Sequence, residues 1–218
     1  SNVTDMVSMF TGADMLSDEN KCAIHTSFSS NPNWNYDWSS LCSVVFQPQT
    51  TAEQQTAVDL WVSDNATALD TYGEINTWDV SMITDMSQLF MDKTTFNDDI
   101  GNWDVSNVTN MTRMFQTCRY FNQDISGWDV SSLTNMTSMF HDSWNFNQDI
   151  SIWDVSSVTS LRMTFEDTRK FNQDISSWDV SNVTDMDYLF WSATSFDQDI
   201  SAWDVSNVTT MVEMFYSA

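Results

Sequence analysis

The chain of 218 residues carries 31 Asp and Glu against 7 Lys and Arg, a formal net charge of -24, with a pI near 4.1. That balance excludes the basic patches that bind nucleic acid or an anionic membrane surface. A hydrophobic fraction of 41% with 14% aromatics excludes disorder, while 4 Gly and 2 Pro supply few tight turns.

In chain order, residues 1–12 read as a partial repeat, since residues 1–10 match residues 206–215, with Asn-Val-Thr and Met-x-x-Met-Phe in both. The opening residues lack a signal-peptide pattern, so the chain is expected to be a mature or excised fragment of a longer array. No run reaches the ~20 apolar residues of a membrane span, and direct membrane insertion is not expected.

Residues 13–72 do not repeat and read as a helical insertion. Ser17 or Asp18 is placed to cap a helix over 19–28, and Thr50 or Thr51 one over 52–62 with Ala57, Leu60 and Trp61 facing inward. Between them, residues 31–38 form an aromatic loop flanked by Cys22 and Cys42. A bridge between these two cysteines closes about twenty residues and is worth ~3 kcal/mol outside the cell. Cys118, in the return-loop register of Lys93, Ser143, Thr168 and Ala193, reads as an inert thiol near the surface.

Residues 73–218 repeat. Trp78, Trp103, Trp128, Trp153, Trp178 and Trp203 recur every 25 residues, each followed by Asp-Val-Ser. Within one unit Ile125, between Asp124 and Ser126, has the alternation of a short strand. Leu133, Met136, Met139 and Phe140 have the spacing of one face of a short helix or 3₁₀ segment, capped by Ser131 or Ser132. A unit of strand, Trp corner, helix and return loop cannot bury its apolar residues alone. The expected fold is therefore an α/β repeat solenoid, a leucine-rich-repeat-like stack of short parallel strands and short helices with a rung every ~4.8 Å.

Stacking turns repeat positions into columns. Asp79, Asp104, Asp129, Asp154, Asp179 and Asp204 follow the Trp, where an Asx turn or N-cap would satisfy them. Asp99, Asp124, Asp149, Asp174 and Asp199, with Asn122, Asn147 and Asn172, face outward by strand parity. That row is open to three readings: a Ca²⁺ site of oxygen ligands, a dock for a basic partner, or a solvated face. The Thr84 to Thr209 column suits local capping better than ice binding. His25 and His141, 116 residues apart, offer no catalytic constellation, and a uniform Asp ladder gives no acid and base in distinct environments, so no enzyme is expected. Arg119, Tyr120, Trp144, Arg169, Lys170 and Trp191 vary between units in the return loops, and Trp144 and Trp191 are candidate aromatic anchors.

The unit Phe-Asn-Gln-Asp-Ile-Ser-x-Trp-Asp-Val-Ser-x-Val-Thr-x-Met-x-x-Met-Phe resembles the BspA-like leucine-rich-repeat surface proteins, in the variant with 25-residue units assigned to a domain of unknown function. The likeness covers residues 73–218 and 1–13, and residues 16–28 resemble the spacer beside such arrays. The resemblance implies a secreted or cell-surface adhesion module without enzyme activity. Leu is scarce here, so leucine-rich-repeat curvature is not implied. The expected function is binding of a protein or glycan through the solenoid face and variable loops; the alternative is a structural spacer stiffened by Ca²⁺. Nucleic acid is not an expected partner, no other cofactor is implied, and exposed solenoid ends offer a route to self-association.

Overall fold

The computed structural model describes residues 10, 16–28, 30–34, 36, 38 and 45–218. The chain divides into two compact units, Ser1–Val45 and Phe46–Ala218. In the first, α1 spans Asp18–Phe28, and Ser17 Oγ accepts the Asn20 N–H at 3.2 Å, the capping read from sequence. His25 is a packed residue, its Nδ1 accepting the Trp34 indole N–H at 3.1 Å. Phe10, Trp34, Tyr36 and Trp38 form a cluster of edge-on and tilted aromatic pairs with centroids 5.0–6.1 Å apart. Cys22 is disulfide-bonded, and Cys42, the partner expected for it, lies outside the described residues.

The second unit starts with α2 (Thr51–Ser63) and α3 (Asn65–Tyr72). Thr50 caps α2 by accepting the Glu53 N–H, and Glu53 returns the contact by accepting the Gln49 N–H at 2.7 Å. Asp64 caps α3, and Gly73 at φ 72° ends it. α2 buries Gln54, Ala57, Val58 and Trp61. Thr51 Oγ1 and Gln55 Nε2 donate to the carbonyls of Asp85 and Leu89, at 2.9 and 3.1 Å. Those carbonyls lie on the edge of the repeat that begins at Trp78, and α2 stands there in the place that a preceding unit takes in later repeats. The helix therefore blunts that edge and stops it acting as a pairing template.

The repeats that follow overturn the expected α/β solenoid of strands and helices. Among the described residues, residues 78–218 hold no helix, and strand pairing is reduced to single-residue parallel bridges linking Asp85, Asn110, Asn135, Ser160, Asp185 and Thr210. Each unit is instead a chain of i→i+3 turns. In one unit, Trp128, Leu133, Met139, His141 and Ser143 donate backbone N–H groups to the carbonyls of Ile125, Val130, Met136, Ser138 and Phe140. The apolar spacing that suggested a helix is equally the spacing of successive turns, and a helix is stopped by the left-handed backbone at Ser138 (φ 56°) and Asp142 (φ 58°). The same two positions are left-handed in every unit, from Gln88 and Asp92 to Glu213 and Ser217, and none is Gly. Such a conformation costs a non-Gly residue about 1–2 kcal/mol. Hydrogen bonds to the next unit offset it: Met86, Gln88, Phe90 and Asp92 donate to Asn110, Thr112, Met114 and Gln116 at 2.9 Å each. The inter-unit pairing thus lies in the stretch read as helix, and the stretch read as strand is turn.

Side chains tie the units together at the core. Trp103, Trp128, Trp153, Trp178 and Trp203 each donate the indole N–H to the Ile carbonyl of the preceding unit, at 2.8–3.2 Å. Phe90, Phe115, Phe140, Phe165 and Phe190 stack in register with centroids 5.4–5.9 Å apart. This separation is wider than the ~4.8 Å between neighbouring strands of a sheet and lies within the usual range for stacked rings. Cys118, expected near the surface, is a buried free thiol whose Sγ donates to the Phe90 carbonyl at 2.9 Å. Ser143 and Thr168 do the same, at 2.6 and 2.8 Å, to Phe115 and Phe140.

Candidate recognition site

Both acidic columns are turn formers. Asp124 Oδ1 accepts the backbone N–H and the hydroxyl of Ser126, at 2.9 and 2.7 Å. Asp149, Asp174 and Asp199 accept the N–H of Ser151, Ser176 and Ser201, and Asp99 that of Gly101. Asp79, Asp104, Asp129, Asp154, Asp179 and Asp204 make the same turn with the Ser two residues on. A third column completes the set, with Asp85, Asn110, Asn135 and Asp185 in equivalent turns. Three Asx turns per unit do the work that Gly would do elsewhere, which accounts for a turn-built fold so poor in Gly. The serine hydroxyl and N–H hold the Asp124 carboxyl below its usual range. At Asp149 the Ser151 hydrogen bonds also outweigh repulsion from Asp174 and Asp124, and the net direction is downward.

The Asn row is committed in the same way. Asn147 and Asn172 donate their N–H groups to the Oδ1 of Asn122 and Asn147, both at 2.8 Å, and Asp197 donates to Asn172 Oδ1 at 2.9 Å. The amides of Gln123, Gln148, Gln173 and Gln198 donate to Asn carbonyl groups one unit back. Among the described residues, no group of three or more His, Cys, Asp or Glu is placed to hold a metal ion.

The variable return loops differ in kind. Six of the seven basic residues, Lys93, Arg113, Arg119, Arg162, Arg169 and Lys170, fall in the stretch of the repeat equivalent to residues 137–145; the seventh is Lys21. Three consecutive units place Arg119, Trp144 and Arg169 in one column. The Arg119 and Arg169 guanidinium carbons lie 4.2 and 4.1 Å from the Trp144 ring centroid, one from the unit before and one from the unit after. Asp142 and Asp167 fix the geometry. Arg119 Nε and Nη2 donate to Asp142 Oδ2 at 3.2 and 2.9 Å, and Arg169 grips Asp167 with both nitrogens at 2.9 and 3.0 Å. The Trp144 indole N–H bridges the two, donating to Asp142 Oδ1 and to Asp167 Oδ2. Burial pushes the Asp167 carboxyl up, but Arg169, Asp142 and Trp144 outweigh it and hold it below the ordinary value.

Beside this ladder Tyr120 is 60% exposed, and Arg169 and Lys170 are exposed. Trp144 is half-buried within the ladder, and Trp191 is half-buried and stacks on Tyr216 at 5.9 Å. Sequence reasoning picked out the ladder's aromatic and basic members but not Asp142 and Asp167. Their signal was a carboxylate two residues before Trp144 and Arg169. A second cluster sits nearby, where Arg162 pairs with Asp187 at 2.7 Å and lies 5.4 Å from the Tyr188 centroid. Among the described residues, no helix is long and apolar enough to cross a membrane.

A family model described as "Mycoplasma protein of unknown function, DUF285" matches residues 56–160 and 127–218. The chain belongs to this family. It is a BspA-like repeat family, and its match starts inside α2, so the capping helices are partly within it. No curated protein and no solved structure matches the chain.

Proposed function

We propose that this chain is a non-enzymatic binding module of a secreted or cell-surface protein, engaging a protein or glycan through the variable return-loop face. The observation that carries this reading is the gathering of Arg119, Trp144 and Arg169, with exposed Tyr120 and Lys170, on one stretch of an otherwise acidic repeat. Arg, Trp and Tyr are the residues on which interfaces concentrate their binding energy, and an Arg plane stacked on an indole is held ready without further loss of side-chain freedom. The surface location rests on the resemblance to BspA-like surface proteins.

The test is to probe arrays of glycans and purified extracellular proteins with the chain and with Tyr120→Ala and Arg169→Ala variants. Support is a bound partner whose signal falls about tenfold or more in both variants while Asp124→Asn leaves it intact. A partner lost on Asp124→Asn and kept by the loop variants overturns the reading. A spacer stiffened by Ca²⁺ is the second reading, favoured by the uniformity of the Asp columns. It requires a Ca²⁺-specific rise in melting temperature over EDTA at fixed ionic strength.

A further inference from the structure

The repeat pattern breaks where α2 and α3 meet the first return loop, and a groove of about 410 Å³ opens there. Trp61 and Phe96 are buried in its floor, while Val62 and Leu69 are 40% and 39% exposed at its rim. Two carboxylates, Glu74 and Asp98, line it, and no basic residue does.

Asp98 marks the break in register. The next four units place Gln123, Gln148, Gln173 and Gln198 at this position, each with its amide donating to an Asn carbonyl one unit back. The first unit has no Asn behind it, and Asp98 Oδ2 accepts the Trp61 indole N–H instead, at 2.9 Å. Oδ1 has no partner among the described residues, and the Glu74 side chain has none. The cation closest in sequence, Lys93, is held by Asp59 at 2.6 Å. The groove therefore combines an apolar lining of Trp61, Val62, Leu69 and Phe96 with two carboxylates that no basic lining residue compensates.

We infer that this groove binds a lysine side chain of a partner polypeptide, with the stem on Trp61, Leu69 and Phe96 and the ammonium between Glu74 and Asp98. A lysine matches both halves, since its methylenes bury readily while its charged head seeks oxygen acceptors. A polypeptide fits better than a free amine because the exposed rim at Val62 and Leu69 offers contact only to residues flanking the lysine. The site is separate from the Arg119–Trp144–Arg169 ladder and does not depend on the function proposed for it.

The probe is an N-acetylated, C-amidated Ile-Lys-Leu peptide titrated by calorimetry and by backbone amide chemical shifts, beside its acetyl-lysine analogue and hexylamine. The expected result is binding of the lysine peptide about tenfold or more tighter than the acetyl-lysine peptide, with hexylamine weaker than either, and shifts at residues 61–74 and 95–98. Asp98→Asn with Glu74→Gln removes the preference for lysine, while the amide oxygen introduced by Asp98→Asn can still accept the Trp61 indole N–H. Leu69→Arg, at a side chain 39% exposed, is expected to fill the groove with the chain's own cation and abolish binding. Equal affinity for the two peptides, no binding at millimolar concentration, or hexylamine binding as tightly as the lysine peptide each overturns the inference.

Discussion

Replacing Asp149 by Asn and, separately, by Ala distinguishes a carboxylate that shapes a turn from one kept for its charge. Asp149 Oδ1 accepts the Ser151 N–H at 3.0 Å on an exposed face. Ala removes that acceptor, and an exposed turn hydrogen bond is worth about 1 kcal/mol net. Asn keeps the acceptor and removes the charge. Ring columns separate units by about 6 Å, so each neighbouring carboxylate, Asp124 and Asp174, repels Asp149 by about 0.7 kcal/mol in bulk water, less in salt. Relief of that repulsion offsets the weaker hydrogen bond of a neutral acceptor, and Asp149→Asn is expected within about 0.5 kcal/mol of the parent. The repeat already makes this substitution, since Asn110 and Asn135 form the turn that Asp85 and Asp185 form in other units. Urea unfolding, read together with thermal melts in EDTA and in Ca²⁺, checks it. A loss of 1 kcal/mol lowers Tm by roughly 2–4 °C in a unit of this size. If Asn costs as much as Ala, or if either variant abolishes a Ca²⁺-specific stabilisation, the carboxylate is serving as a charge and the turn assignment is insufficient.

The Arg119–Trp144–Arg169 ladder should show coupling: a double-mutant cycle of Arg169→Ala with Trp144→Leu is expected to give an interaction energy of about 0.5–1 kcal/mol in urea unfolding, and additivity would refute the stacking contribution. Acid should destabilise the repeats. The Asx-turn carboxyls, Asp124, Asp129 and Asp149 among them, hold protons less tightly folded than unfolded, so their contribution is complete above about pH 4 and is lost as pH falls through the lower folded values. Melts from pH 7 to pH 2 on the parent and on Asp124→Asn/Asp149→Asn should show a shallower acid loss in the variant. Burial pushes the Cys118 thiol far above its usual range, so a thiol reagent at pH 8 should label Cys118 only at the rate of unfolding; fast labelling of the native chain contradicts the buried position.

The core was legible in the sequence because burial depends on which residues recur, not on the backbone that carries them. Ile125, Trp128, Val130, Leu133, Met136, Met139 and Phe140 are all buried, as their periodicity demands. The helical capping of Thr50 and Ser17 was legible too, since a side-chain acceptor ahead of an apolar run has a single common use. Backbone conformation was not. A spacing of three, three and one fits a helix and a run of turns equally, and the residues that decide between them, Ser138 and Asp142, take left-handed geometry without the Gly that normally announces it. Inside the stack the next unit accepts the N–H groups of these residues, Arg162 from Ser138 and Glu166 from Asp142, a partner that no local window of sequence displays.

The same distinction governs the site. Uniform columns attracted attention as ligand rows because the sequence displays their regularity, yet a residue needed in every unit is first of all a residue that builds every unit. The Asn122–Asn147–Asn172 column holds register, and the Asp columns close turns. Positions free of that duty are the ones able to diverge, and they are where the chain places its scarce cations. Arg119 and Arg169 occupy a position that holds Thr94 and Thr194 at either end of the stack, where the Thr194 side chain makes a long contact of 3.4 Å to the Arg169 carbonyl. The turn there uses the backbone of that position and not its side chain, which leaves the side chain free to form an Arg–Trp–Arg column across three units. Asp98 is the converse case: it stands at a position bound by structural duty in later units but released from it in the first, where no Asn lies behind it. Both sites mark positions where the repeat no longer constrains the side chain, one by tolerance and one by termination.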